Sequence, residues 1–180
     1  TADRPLAAGR MQSTEAIIAA GLMAVSGIAI LWVWFNTLSA LLGALSLISY
    51  AFLYTPMKKV SPIAVFIGAF PGAMPPLIGC AAAAGGINDL AILLFSVQFV
   101  WQFPHFWAIG WFLFDDYKKG GFYMLPSGNR DKSTAMQTIL YTIWLIVASV
   151  LPSFGYTGQL FLTPISAIIV LLLGFWMLFY

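Results

Sequence analysis

Two clusters of side chains in this 180-residue chain have the types and spacing for chemistry. The first reads Asp115-Asp116-Tyr117-Lys118-Lys119-Gly120-Gly121. Adjacent carboxylates beside a lysine pair suit a hard divalent cation shared with a phosphorylated ligand, because the metal takes carboxylate oxygens while ammonium groups take phosphate oxygens. The two glycines would let the segment fold over such a ligand. Lys58 and Lys59, in Tyr54-Thr55-Pro56-Met57-Lys58-Lys59, add two more ammonium groups, and Arg4 and Arg10 add forked donors. The plainer alternative is that these charges are solvated markers of membrane-protein loops. The second cluster, Gln98, Gln102 and His105, recurs at i, i+4 and i+7 and so shares one helical face, with Trp101, Phe103, Phe106, Trp107 and Trp111 around it. Polar groups at membrane depth are costly and point to a site. A structural hydrogen bond for the histidine and interfacial anchoring for the tryptophans are the competing roles. One histidine and one cysteine, Cys80, exclude a Cys-clustered metal site and an internal disulfide.

The elements that must position these residues follow from composition. At 61% hydrophobic and 8% charged residues, the chain departs from the roughly 25% charged of soluble domains. A net charge of +2 gives no basic stripe for nucleic acid. Apolar runs long enough to cross a bilayer recur between the charges, predicting spans near 14–35, 38–55, 61–83, 89–113, 134–152 and 161–180. Asn36-Thr37 and Ser39 mark the first turn, and Gly85-Gly86-Ile87-Asn88-Asp89 a turn and then a cap. The fold class expected is an all-α polytopic transmembrane bundle of six spans. The only long polar segment, Asp115 to Lys132, joins the fourth and fifth spans.

Charge sidedness agrees with that topology. Arg4, Arg10, Lys58, Lys59, Lys118, Lys119, Arg130 and Lys132 all fall on the side where the first span begins, so that side is expected to be cytoplasmic. Asp3, Glu15, Asp115, Asp116 and Asp131 share it. Positive-inside sorting does not require acids there, so they need reasons of their own. Pro71, Pro75 and Pro76 predict a bent or broken third helix with a cavity beside it. Gly68 and Gly72 predict close helix packing. Ten residues separate His105 from Asp115, about 15 Å if all are helical. No targeting segment is expected at Thr1, which follows no basic or cleavable stretch.

Three stretches, DRPLAAGRM at 3–11, YTPMKKVSPIAVFIGAFPGAMPPLIG at 54–79 and QFPHFWAIGWFLFDDYKKGGFYMLPS at 102–127, cover about a third of the chain. They resemble, in order, the heme-farnesylating family, the protoheme IX farnesyltransferases or heme O synthases. That family lies within the intramembrane aromatic prenyltransferase superfamily. The resemblance implies a nine-helix fold with two acidic motifs at the cytoplasmic mouth of a central cavity and Mg²⁺ between those motifs and the prenyl diphosphate. Residues 1–180 would then be a single domain incomplete at both ends, matching the third through eighth helices, and inactive alone. The first acidic motif would precede Asp3. Phe122-Tyr123-Met124 stands where Ile-Pro-Met is commoner, and Gly120-Gly121 where Ala-Gly is common. Altered loop stiffness without lost metal ligands is the expectation.

The resemblance further implies transfer of farnesyl from farnesyl diphosphate to the 2-vinyl group of heme B, with water addition, in a bacterial cytoplasmic membrane. Asp115, Asp116 and Lys119 would be catalytic, with the two acids holding Mg²⁺. Arg4, Arg10, Tyr54, Lys58, Lys59, Gln98, Trp101, Gln102, His105, Phe106 and Trp107 would bind substrates, Trp101, Phe106 and Trp107 screening the allylic cation and His105 meeting the porphyrin. The lipid bilayer and heme A synthase or a terminal oxidase assembly would be its partners. Two other functions stay open: a polyprenyltransferase acting on 4-hydroxybenzoate or another quinone or chlorin precursor, and a transporter or nonenzymatic membrane subunit.

Overall fold

The computed structural model describes residues 4–150, and all of its regular structure is helical. Four helices are long and apolar enough to cross a membrane: α1 (Ser13–Phe35), α2 (Thr37–Met57), α3 (Ala64–Ala84) and α4 (Asp89–Phe112). A short helix, α5 (Phe114–Lys119), precedes α6 (Lys132–Val150). These ranges fall within a few residues of the first five spans predicted from the charge gaps. The span expected at 161–180, and Asp3, lie outside the described residues. The helix expected at 134–152 is present as α6, but it is not among the four with the apolar length to cross a membrane. Its Thr134, Thr138 and Thr142 hydroxyls donate to carbonyls of Asn129, Thr134 and Thr138, so these polar groups are satisfied on the helix itself or just before it.

Local signals explain the helix ends. Gln12 and Glu15 close a reciprocal cap on α1, the Gln12 N–H donating to the Glu15 carboxylate at 2.9 Å. The Asn36 side chain accepts from the Ser39 N–H at 2.8 Å and donates to the Ala81 carbonyl at 2.8 Å, capping α2 while tying its start to the end of α3. Gly85 stops α3 at φ 72°, and Asn88 caps α4 by accepting from the Ala91 N–H. Asp131 caps α6 through the Thr134 N–H at 2.8 Å.

The prolines do not break α3, contrary to the stronger form of the expectation. Pro75 lacks the N–H that would reach the Pro71 carbonyl, and the Ser46 hydroxyl from α2 donates to that oxygen instead, at 3.3 Å. A neighbouring hydroxyl thus supplies what the proline removes, which is how a membrane helix tolerates such a residue. The second difference is at the end of α4. Leu113, at φ −99° and ψ 28°, interrupts the helix before α5. The expected separation of about 15 Å between His105 and Asp115 assumed one unbroken helix, and the break falls two residues before Asp115.

Packing is centred on α3. It pairs most extensively with α4, then with α2, while α6 packs against α4. One core joins Val65, Ala69, Phe103, Trp107, Met124 and Leu125, and a second joins Met74, Leu77 and Ala91. By contrast α1, the most apolar of the four, buries none of its residues. Apolarity gives helices no drive to associate in lipid, whereas small residues allow close approach.

Candidate functional site

The site is built where the α2–α3 connection meets the segment after α4. Beyond the Leu113 break, α5 carries Asp115 and Asp116 in its first turn and Lys118 and Lys119 in its last, a charge order that suits the helix dipole. Gly121, at φ 69°, turns the chain back, and Gly120 makes room: a Cβ there would lie 2.8 Å from the Phe122 ring. The returning strand of chain bonds to the α2–α3 connection through the Tyr123 N–H, which donates to the Lys58 carbonyl at 3.0 Å. A proline at 123 has no N–H for this bond. The departure from Ile-Pro-Met thus adds a tie between the two segments while leaving both acids in place.

Cations gather along this seam. The Lys58 Nζ lies 5.3 Å from the Phe122 ring centre and 5.9 Å from that of Tyr54, and the Lys59 Nζ lies 5.9 Å from Phe122. Asp115 faces Arg130 at 3.6 Å, and Arg130 also donates to the Trp111 carbonyl at 2.7 Å. Arg130 was not among the sequence-predicted site residues. Its contacts lie 15 to 19 positions back along the chain, so no local spacing announces it. Asp116, Lys119 and Lys59 are exposed, as are Arg4 and Arg10 in the turn preceding α1. Of the five acids needing a reason, Glu15 and Asp131 are helix caps and Asp115 is an ion-pair partner. Asp131 is held below the ordinary carboxylate range by the Thr134 N–H and the Ser127 hydroxyl.

Below the seam, a cavity of about 460 Å³ opens between α2, α3 and α4, lined by Tyr50, Tyr54, Gly68, Gly72, Gln102 and Phe106 among others. The predicted cavity beside α3 is therefore present. The glycines serve more than helix contact: a Cβ on Gly68 would meet the Tyr54 ring at 2.6 Å, and one on Gly72 would meet the Gln102 amide at 2.5 Å. The last turns of α2 wind as a π-helix over Ser49–Tyr54, placing the Tyr50 and Tyr54 rings 5.2 Å apart. A second cavity, about 470 Å³, lies under the seam itself against Tyr117, Lys118, Phe122 and Ser127.

The other α4 candidates divide. Gln102 and Phe106 line the cavity together with Tyr54. His105 instead stacks on Trp101, with ring centres 4.2 Å apart, and meets Phe106 edge-on. Trp107 is buried on a different side, lining a cavity of about 230 Å³ with Gln137 and Tyr141. Its indole N–H has no partner among the described residues. Gln98 is partly buried one turn before Gln102.

The donor set bears on a metal. Among the described residues no three His, Cys, Asp or Glu side chains converge, so Asp115 and Asp116 offer two carboxylates and no closed cage. Two hard oxygen donors fit Mg²⁺, which is commonly held by one or two carboxylates together with substrate phosphates.

A model of the UbiA prenyltransferase family matches residues 1–180. The chain is 57% identical over 180 residues to a protoheme IX farnesyltransferase of Flavobacterium psychrophilum, and 55% identical to one of Flavobacterium johnsoniae, covering all of this chain and 60% of each relative. A protoheme IX farnesyltransferase of Solibacter usitatus is 45% identical over 181 residues, with 99% of this chain and 60% of that protein covered. The chain thus spans about 60% of the length of these relatives. No solved structure matches it.

Proposed function

This chain belongs to the UbiA prenyltransferase family, a multi-pass membrane protein, and on that premise we propose that the whole protein makes heme O from heme B and farnesyl diphosphate. Similarity to relatives named protoheme IX farnesyltransferase supports this acceptor over a phenolic one. The observation that carries the reading to the geometry is the bond between Tyr123 and Lys58, which joins the acid-bearing segment to the lysine pair above a cavity lined by Tyr54.

Each group has a task in this reaction. Asp115 and Asp116 would hold Mg²⁺, which when bound supplies charge neutralisation to the diphosphate. Lys58, Lys59 and Lys119, with Arg4 and Arg10, offer donors to the phosphate oxygens as the allylic C–O bond breaks and its electron pair leaves with the diphosphate. The farnesyl chain enters the α2–α3–α4 cavity, whose aromatic lining of Phe106, Tyr50 and Tyr54 would exclude water and stabilise the allylic cation. The 2-vinyl group of heme B attacks that cation. Water then adds to the porphyrin-side cation and loses a proton, leaving a hydroxyethylfarnesyl substituent. Gln102, the amide lining the cavity, is the first candidate to orient the acceptor, and His105 reaches it through Phe106.

The same reading assigns the loops carrying the basic residues to the cytoplasmic side of a bacterial inner membrane. It takes α6 and residues 161–180 as two further spans of a nine-helix fold, with residues 1–180 inside a single domain. Heme A synthase or a terminal oxidase assembly would be the partner that receives the product. The rest of the relatives' length would supply the other acidic motif. The test is product analysis by mass spectrometry with the full-length protein, farnesyl diphosphate and Mg²⁺, offering heme B and 4-hydroxybenzoate in competition. Formation of heme O is expected. Prenylated 4-hydroxybenzoate as the sole product would overturn the choice of acceptor, and no prenylated product would overturn the enzymatic reading.

A further inference from the structure

Phe122 belongs to none of the residue groups expected to bind substrate, yet two lysines converge on it. Its ring centre lies 5.3 Å from the Lys58 Nζ and 5.9 Å from the Lys59 Nζ. Consecutive lysines on an exposed connection would otherwise repel each other and spread into water, each with a flexible four-carbon stem. The ring is itself held from three sides. The Phe122 backbone N–H donates to the Tyr117 carbonyl at 2.9 Å, the Phe122 and Tyr117 rings meet edge-to-face with centres 6.3 Å apart, and Tyr123 bonds to Lys58. Gly120 leaves the space the ring fills.

We propose that Phe122 is a positioning residue for the anion site, gathering the Lys58 and Lys59 ammonium groups over one ring before the diphosphate arrives. The proposal rests on the reading that this face binds a diphosphate. An anion then meets cations whose freedom has already been reduced, and binds more tightly for that reason. Phe122 touches no reacting atom. It acts through the lysines.

The test measures binding of inorganic pyrophosphate with Mg²⁺ to the full-length protein in nanodiscs by calorimetry. Phe122→Leu keeps apolar bulk and removes the ring's negative face, and should weaken binding about five- to thirty-fold, as two exposed cation–ring contacts imply. Phe122→Trp should bind like the unsubstituted protein. In a Lys58→Met, Lys59→Met background, Phe122→Leu should cost nothing more. The proposal is overturned if F122L binds normally, if F122W is as weak as F122L, or if the loss persists without the lysines. Absence of saturable pyrophosphate binding in the unsubstituted protein overturns the diphosphate reading itself. Should F122L fail to fold, Phe122→Tyr, expected to bind normally, is set against Gly120→Ala, which crowds the ring and should weaken binding. Equal affinities in that pair would overturn the proposal.

Discussion

The seam between the α2–α3 connection and the segment after α4, and the cavity beneath it, are built by opposite means. The seam is ionic and mostly exposed, and is assembled from two segments tied by the Tyr123 N–H to the Lys58 carbonyl and by the lysines over Phe122. The cavity is apolar apart from a few uncharged groups such as Gln102 and Ser46, and two glycines hollow it. Charge can be kept at the face, where water solvates it, whereas at depth a carboxylate or ammonium group would carry a large desolvation cost. On the proposed reading, a bilayer sorts a two-substrate site by polarity, with the diphosphate end assigned to the seam and the apolar partners to the cavity below. Tyr54 links the two, since its ring both lines the cavity and lies under Lys58.

The largest effect should come from stripping the seam. Lys58→Met combined with Lys59→Met removes two charge-assisted donors and is expected to raise the KM for farnesyl diphosphate by at least about 100-fold. Heme B affinity should not move. A parallel loss of heme binding in an absorbance titration would break the division between seam and cavity.

A cavity change should do the reverse at smaller scale. Gly72→Ala places a methyl group where the Gln102 amide now sits, so the expected cost is about 1–3 kcal/mol of stability from overpacking. Heme B affinity should weaken while pyrophosphate binding with Mg²⁺ stays intact. Thermal inactivation together with the two titrations measures this, and unchanged heme affinity would remove Gln102 from the acceptor's side of the account.

These expectations use residues that differ in how far the sequence announced them. The helix ranges were legible because charge gaps and Asn caps are local signals, as at Asn36 and Asn88. The cavity was legible from three prolines in one apolar run, although the helix continues through them, with Ser46, 25 residues before Pro71, supplying a donor to the carbonyl that Pro75 leaves free. The short α5 was read only as a polar segment, even though its acids-first, lysines-last order was a usable sign. Arg130 and Phe122 were missed because their roles depend on contacts made after the chain turns back. Trp107 was grouped with Phe106 by proximity in sequence, but it lines a different cavity from the one shared by Gln102 and Phe106.

The smallest expected effect concerns the outer edge of the seam. Asp131 has its pKa lowered from the ordinary value of 3.8 by hydrogen bonds from Thr134 and Ser127. Its cap on α6 is therefore fully in force above that value and is lost as pH falls through the lower folded-state value. Hydrogen-exchange protection at the first turn of α6, taken relative to the intrinsic exchange rate at each pH, should fall on acidification through that window. Asp131→Asn should flatten the dependence.

The most direct test of the division between seam and cavity pairs Asp116→Asn with Gln102→Leu in the full-length protein, following farnesyl diphosphate turnover at saturating Mg²⁺ and heme B binding by absorbance. D116N should cut turnover on the order of 100-fold by weakening charge stabilisation at the diphosphate, with heme B affinity preserved. Q102L should weaken heme B binding and preserve farnesyl diphosphate binding. If D116N weakens heme binding while turnover stands, or Q102L abolishes farnesyl diphosphate binding while heme affinity holds, the seam and the cavity do not divide the substrates in this way.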